Sequence, residues 1–348
     1  MTLFRFNKDF FVSPNIETII NLIEKCCKLN LSTLAYDLAI HFEDSSPRAL
    51  PLNVWLNILR CSSYNKHLNQ IYHAFDVVYK SQPTLLDEGL CLLILNSLTL
   101  TNKSNWSTHS NLATKVLTSL KLNHVHFQDY HLSPLIQIYM NENKIKESFE
   151  ILSIMSNSRI EPNLHTTKPI FNHIKHSVDN VDDAYYILQD IQKEGGKVDI
   201  HSVNVIISAC IHLNDMDRAV ETYNECKAFN VNPNIETFNI ILEGCISIAN
   251  RKLGDMLLSE LKNRNLKPNE RTFERLIVLC LTQSNYEDCF FYLEEMKSLG
   301  YIPSANVYQT IIRKCHSVGD SRYRVAYDEM LECGYSIPKP LKSLLNVK

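Results

Sequence analysis

Apolar residues in the C-terminal half of the chain return at i, i+3, i+4 and i+7. That spacing lays one side of an α-helix against a core. Over 200–234 the stripe is Val203, Ile206, Ile207 and Cys210, and over 235–269 it is Phe238, Ile241, Leu242 and Cys245. The following blocks contribute Phe273, Leu276, Ile277 and Cys280, then Tyr308, Ile311, Ile312 and Cys315. Each stripe is followed by a polar turn such as HLNDMD and by a second amphipathic stretch such as DRAVETYNECKAF. The unit is therefore a helix–turn–helix hairpin of 35 residues, and prolines at 233, 268, 303 and 338 keep the same period. Proline cannot donate a backbone hydrogen bond, so each is expected to help close helix two. Self-similarity at a fixed period of this size predicts a stacked repeat array.

The register runs backwards from there. Block 129–163 fits, with Leu132, Leu135, Ile136 and Tyr139, and ends in Pro162-Asn163. Block 164–199 is one residue longer than the period, a difference placed in KHSVDN, and 87–128 needs seven extra residues, placed in the polar stretch TNKSNWSTHSN. Blocks 16–51 and 52–86 keep the apolar rhythm but little else. The expected organisation is an N-terminal segment 1–15, degenerate helical repeats over 16–128 (16–51, 52–86, 87–128), six regular repeats over 129–339 and a tail, 340–348. The fold class is all-α, with about nine hairpins. Helix two carries a small residue where it must pack closely against helix one: Ala35, Ala113, Ser148, Ala184, Ala219, Gly254 and Cys289.

Composition narrows the chemistry. The formal charge is −3, so no broad cationic face binds nucleic acid by charge alone. No apolar run is long enough to span a bilayer. The opening MTLFRFNKDFF holds Arg5 and Lys8 with Asp9 against them, a poor match to a targeting helix. Cys210, Cys245, Cys280 and Cys315 lie on the repeat ruler. Stacked hairpins place equivalent positions roughly 10 Å apart, whereas four zinc ligands must converge at about 2.3 Å from one ion. They are read as interior wall residues, and Cys26 and Cys27, adjacent on one helix, point apart. The 13 histidines form no His-x3-His pair on a common face, and no phosphate loop, serine elbow or carboxylate cluster stands out. No enzyme, metal or cofactor is expected.

The stretch NPNIETFNIILEGC, followed by LKNRNLKPNERTFERLI, resembles the pentatricopeptide repeat family. The likeness rests on Thr237-Phe238 and Thr272-Phe273, on the small residue in helix two, and on EEMKSLGYIPS at 294–304; it covers 129–339. It implies a right-handed superhelical solenoid that binds single-stranded RNA, about one base per repeat, read by two or three side chains. The family's reading positions, carried over, pair Ser133 with Asn163, Lys168 with Asp199, Asn204 with Asn234, Asn239 with Asn269, Glu274 with Ser304, and Gln309 with Lys339. Ser133 with Asn163 resembles the pairing that prefers adenine, and the two Asn/Asn pairs look like pyrimidine readers. Lys168/Asp199, Glu274/Ser304 and Gln309/Lys339 match no familiar pairing. Tyr130, His165, His201, Glu236, Arg271 and Asn306 take the positions that sandwich the base, where the family favours small aliphatics. His212, Ser247, Thr282 and Ser317 replace a helix-one lysine that often meets phosphate.

Two readings of the asparagines stand side by side. Asn234 and Asn269 sit just before a helix, where Asn is a preferred cap. Asn204 and Asn239 lie one turn inside helix one, where Asn has poor helix propensity and recognition explains it better. Phe238, Phe273 and Tyr308 belong to the core stripe. The resemblance implies a non-catalytic factor acting on mitochondrial transcripts (mRNA or rRNA precursors) in processing, stabilisation, splicing or translation. Implied partners include the mitochondrial ribosome and other RNA-processing proteins. The alternative is a helical-repeat scaffold for protein interaction or ribosome assembly without base reading. The repeats run close to the end of the sequence, so an appended nuclease domain is not expected.

Overall fold

A computed structural model describes residues 15–46, 49–99 and 109–345. The N-terminal segment through residue 14 and most of the seven-residue expansion assigned to TNKSNWSTHSN lie outside the described residues. The described chain is all-α, with 19 α-helices, a 3-10 turn at Pro83–Leu85 and no strand among the described residues. By contact it divides into two compact units, Met1–Ile170 and Phe171–Lys348.

In the first unit the hairpins are α1 (Ile16–Lys28) with α2 (Ser32–Ser45), α3 (Leu52–Tyr64) with α4 (Leu68–Ser81), α5 (Glu88–Thr99) with α6 (His109–Leu122), and α7 (Asp129–Asn141) with α8 (Ile145–Asn157). A single apolar core runs through Ile23, Trp55, Ile58, Ile71, Phe75, Leu90, Ile94 and Val116. Leu135 and Ile136 of the following repeat are buried too. Tyr139 stays half-buried, with the Lys144 ammonium 5.9 Å from its ring centre.

The boundary at Ile170/Phe171 falls within the residue range of α9 (Leu164–Ile174), and α10 (Val178–Lys193) follows in sequence. The extra residue of this repeat is taken up by helix two, which at 16 residues is the longest. The expectation had placed it in KHSVDN, and α10 begins inside that stretch, where the Ser177 hydroxyl accepts the N–H of Asn180.

The second unit continues with α11 (Ile200–His212) and α12 (Met216–Asn224), then α13 (Ile235–Ser247) and α14 (Arg251–Asn263). Next come α15 (Glu270–Thr282) with α16 (Asp288–Ser298), α17 (Ala305–Val318) with α18 (Tyr323–Glu332), and a short α19 (Lys339–Leu344). Helix one of each repeat packs on helix one of the next, α11 on α13, α13 on α15 and α15 on α17. All sixteen stripe residues named above from 203 to 315, the four cysteines included, are at most 1 % exposed. Burial pushes the thiols of Cys210 and Cys245 up to about 12, as expected of inert wall residues.

Proline does not close helix two. Five of the helices end beside a residue held in the left-handed conformation, Arg159, Gly195, Asn265, Gly300 or Gly334, and the turn that follows α12 ends at another, Asn230. The N–H of the next residue then reaches back to satisfy an orphan carbonyl, as from Val231 to Cys226 O (2.9 Å) and from Leu266 to Leu261 O (3.1 Å). Pro233, Pro268 and Pro303 come later, each directly before the N-cap residue of the next helix. Their role is to rule out helix there and set the entry of the next repeat. The small-residue positions are buried as well. A Cβ on Gly254 would lie 2.3 Å from Leu279 Cδ2 of the following repeat and 3.7 Å from Leu242 of its own. The tight contact is therefore between repeats. The segment expected as a tail carries α19, which buries Leu341.

Candidate nucleic-acid interface

The sequence-predicted reading residues separate into classes once their partners are in view. Asn234 caps α13: its Oδ1 accepts the backbone N–H of Thr237 at 3.0 Å, and its own N–H donates to Thr237 Oγ1 at 3.1 Å. Asn204, from the preceding repeat, donates its side-chain amide to the same Oδ1 at 3.3 Å, and the Thr237 hydroxyl donates to Asn204 Oδ1 at 2.7 Å. One repeat later the arrangement recurs. Thr272 N–H lies 3.0 Å from Asn269 Oδ1, Asn239 Nδ2 lies 3.2 Å from it, and Thr272 Oγ1 lies 2.8 Å from Asn239 Oδ1. The structure thus brings each Asn/Asn pair together and adds a threonine to each.

Burial divides the work within each trio. Asn204 is 4 % exposed, and Asn239, Thr237 and Thr272 are fully buried, whereas Asn234 and Asn269 are half-exposed. A backbone N–H can only face the oxygen end of the capping amide, so the Nδ2 end turns the other way. Nδ2 of Asn234 and of Asn269 has no hydrogen-bond partner among the described residues and reaches solvent. Capping and an open donor are properties of opposite ends of one side chain, so the two readings of these asparagines coexist.

The other positions differ. Asn163 does not pair with Ser133, which is half-buried nearby on α7. Its amide nitrogen donates to the Asp129 carboxylate, which also takes the Thr166 hydroxyl. Its oxygen caps α9 through the N–H groups of His165 (2.7 Å) and Thr166 (3.1 Å). Asp199 is largely buried and caps α11 through His201 N–H at 2.9 Å, while Lys168 is exposed on α9. Glu274 and Ser304 do meet, but through the Ser304 backbone N–H donating to Glu274 Oε1 at 3.1 Å. Gln309 is half-buried and Lys339 is exposed at the start of α19.

Among the sandwiching positions, Tyr130 is 52 % exposed and donates its hydroxyl to Glu88 Oε1 at 3.2 Å. Desolvation and that carboxylate hold its phenol above its ordinary value. His165 and Asn306 are exposed, and His201 is half-buried. Glu236 and Arg271, one repeat apart, face each other at 3.6 Å, and Arg275 pairs with Glu243 at 2.9 Å. Charge on this side of the second unit is thus partly cancelled between neighbouring repeats.

Sequence profiles described as "Pentatricopeptide repeat-containing protein" and "Pentatricopeptide repeat domain" match residues 88–226 and 256–317, together more than half of the chain. The chain belongs to the pentatricopeptide repeat family. No curated protein sequence matches it. Among solved structures, this pentatricopeptide repeat chain is similar to PPR10 in complex with an 18-nucleotide psaJ RNA element, at 14 % identity and a TM-score of 0.48, over 99 % of this chain and 54 % of that one. It is similar to PPR10 from maize at 15 % identity and a TM-score of 0.43, over 99 % and 52 %. It is also similar to the pentatricopeptide repeat domain of Arabidopsis thaliana protein-only RNase P 1 in complex with tRNA, at 11 % identity and 0.43, over 51 % and 94 %. The chain spans about half the length of the PPR10 chains.

Three residues of these pentatricopeptide repeats escaped the sequence reading as site residues: Thr237, Thr272 and Asp129. The threonines were visible as an N-x-x-T capping pattern at 234–237 and 269–272. Their second bond, to an asparagine 33 residues earlier, has no signal in a single sequence.

Proposed function

We propose that this chain is a non-catalytic, base-selective single-stranded RNA-binding protein acting on mitochondrial transcripts, mRNA or rRNA precursors, in their processing, stabilisation, splicing or translation. The observation that carries the reading is the pair of Asn–Thr–Asn trios, one repeat apart, each leaving one amide donor open to solvent. Equivalent donors repeated at the spacing of the array suit a polymer whose bases repeat in turn. Family membership supports the ligand class, and family resemblance the organelle. Holding a segment extended would block nucleases or prevent a hairpin from forming.

The net charge of −3 makes base stacking and edge hydrogen bonds, at about 1–3 kcal/mol per base, the main source of affinity rather than phosphate contacts. The test is fluorescence anisotropy of the purified full chain with labelled single-stranded RNA and with the matching duplex. Preference for the single strand, with selectivity among sequences, is expected. Absence of binding, or equal binding to every sequence and to duplex, overturns the reading in favour of a protein-interaction scaffold. A fluorescent fusion that stays outside mitochondria would remove the organellar part.

A further inference from the structure

We propose that the helix-two side of the second unit is a docking surface for a basic, amphipathic α-helix of a protein partner. The surface is separate from the asparagine trios and does not depend on RNA binding.

The second helix of a repeat has an inner and an outer side. On α14 the core takes Gly254, Leu257, Leu258 and Leu261, and on α16 it takes Cys289, Tyr292, Leu293 and Met296. Met256 and Phe291 are left outside, 61 % and 64 % exposed. They stand 35 residues apart, at one position of the repeat, and Tyr186 lies on the same ruler two repeats earlier. Val325 of α18, 34 residues after Phe291, extends the row at 59 % exposed. Glu221 interrupts it between Tyr186 and Met256, so the unbroken stretch is Met256, Phe291 and Val325. Exposed apolar residues scattered singly are ordinary. Three consecutive repeats leaving one position apolar and open make a row. Helix formation does not call for it, because Phe and Val are poorer helix formers than Lys, Glu or Gln.

Spacing suggests the shape of the occupant. Stacked hairpins put equivalent positions roughly 10 Å apart, and an α-helix advances about 10.5 Å in seven residues. Apolar residues at i, i+7 and i+14 of a partner helix therefore meet the three side chains in turn. Beside Met256 a groove of about 1030 Å3, with Ile248, Lys252, Ser259 and Gln283 in its walls, gives the first of them room.

Charge sets the polar side of that helix. Helices α10, α12, α14, α16 and α18 carry fourteen Asp and Glu against seven Lys and Arg. The helix ones α11, α13, α15 and α17 carry four of each. Ion pairs between repeats, such as Asp288 with Arg251 at 3.1 Å and Glu329 with Lys297 at 2.7 Å, cancel equal numbers and leave the acidic excess untouched. A net of −7 along the helix-two row repels phosphate and attracts cationic side chains.

The test uses a labelled peptide three heptads long, with Leu along one face and Lys on the others. Anisotropy with the purified full chain compares it with a scrambled peptide of the same composition, whose apolar residues share no face. The heptad peptide should bind about tenfold more tightly or better, and Phe291→Ser and Met256→Ser should each weaken it by roughly tenfold. Both positions are exposed, so the melting temperature should hold. Equal binding of the two peptides reduces the surface to unspecific charge and overturns the proposal. Absence of binding, or unchanged affinity in both variants, overturns it as well. Sedimentation velocity covers a second copy as occupant: a dimer of the natural chain that Phe291→Ser disperses assigns the row to self-association instead.

Discussion

Asn269→Asp isolates the base-facing edge of one repeat with little disturbance to the fold. Asn and Asp are comparable N-caps, and a carboxylate oxygen in the place of Oδ1 still accepts from Thr272 N–H (3.0 Å) and Asn239 Nδ2 (3.2 Å). A negative charge at the start of α15 adds about 0.3–1 kcal/mol of helix-dipole stabilisation, so the melting temperature should hold or rise slightly. What changes is the outward end, from a donor to an acceptor. Cytosine loses a neutral hydrogen bond worth about 0.5–1.5 kcal/mol, and uracil N3–H gains a bond to a charged acceptor worth about 1.5–3 kcal/mol. Discounted for the half-exposed site, the swing is about 2 kcal/mol, or roughly thirtyfold in the C-to-U preference. The assay is anisotropy with RNA pairs that differ at one nucleotide, the one directly 3′ of that read by Asn204 and Asn234 if the strand runs parallel to the chain. RNA that still binds with an unchanged C-to-U ratio would refute the reasoning and leave Asn269 as a helix cap alone.

Asn239→Ala should weaken RNA binding whichever base is present, because the amide that orients Asn269 is gone, and should cost about 1–3 kcal/mol of stability in chemical denaturation; unchanged affinity would count against its role. Phe273→Ala empties a buried site beside Tyr301 and should cost about 3–5 kcal/mol in the same measurement. Hydrogen bonds from Arg322 hold the Asp320 carboxyl down at about 2, against an ordinary value of about 3.9. A depressed carboxylate stabilises the fold above its unfolded value and loses that contribution as pH falls through its folded one. The gap in melting temperature between the natural chain and Arg322→Ala should therefore be full at neutral pH and close as pH falls from about 4 to about 2; a gap independent of pH would contradict it. In native thiol labelling at neutral pH, exposed Cys333 should react first, and Cys210 and Cys245 only after unfolding; early reaction at Cys245 would mean that the core stripe is open.

The repeat, its period and its core are local properties, and the sequence by itself determined them. A 3.6-residue rhythm places Ile206, Ile241, Ile277 and Ile312 inside whatever the hairpins stack against, and all four are fully buried. The pairing of Asn204 with Asn234 and of Asn239 with Asn269 was legible too, through the family resemblance. Helix termination was misjudged because proline is conspicuous in a sequence, whereas a left-handed residue such as Asn265 is defined by a backbone angle. Which atoms of the asparagines are free was decided only by the tertiary structure. Asn163, Asn234 and Asn269 each follow a proline, precede a helix and stand three residues before a threonine, yet Asn163 gives its nitrogen to Asp129. The other two keep theirs open because a buried asparagine from the previous repeat occupies the oxygen instead. Such a choice depends on side chains about 30 residues apart meeting within hydrogen-bonding distance, and hydrogen bonds fall off over fractions of an ångström while sequence periodicity resolves only faces of helices.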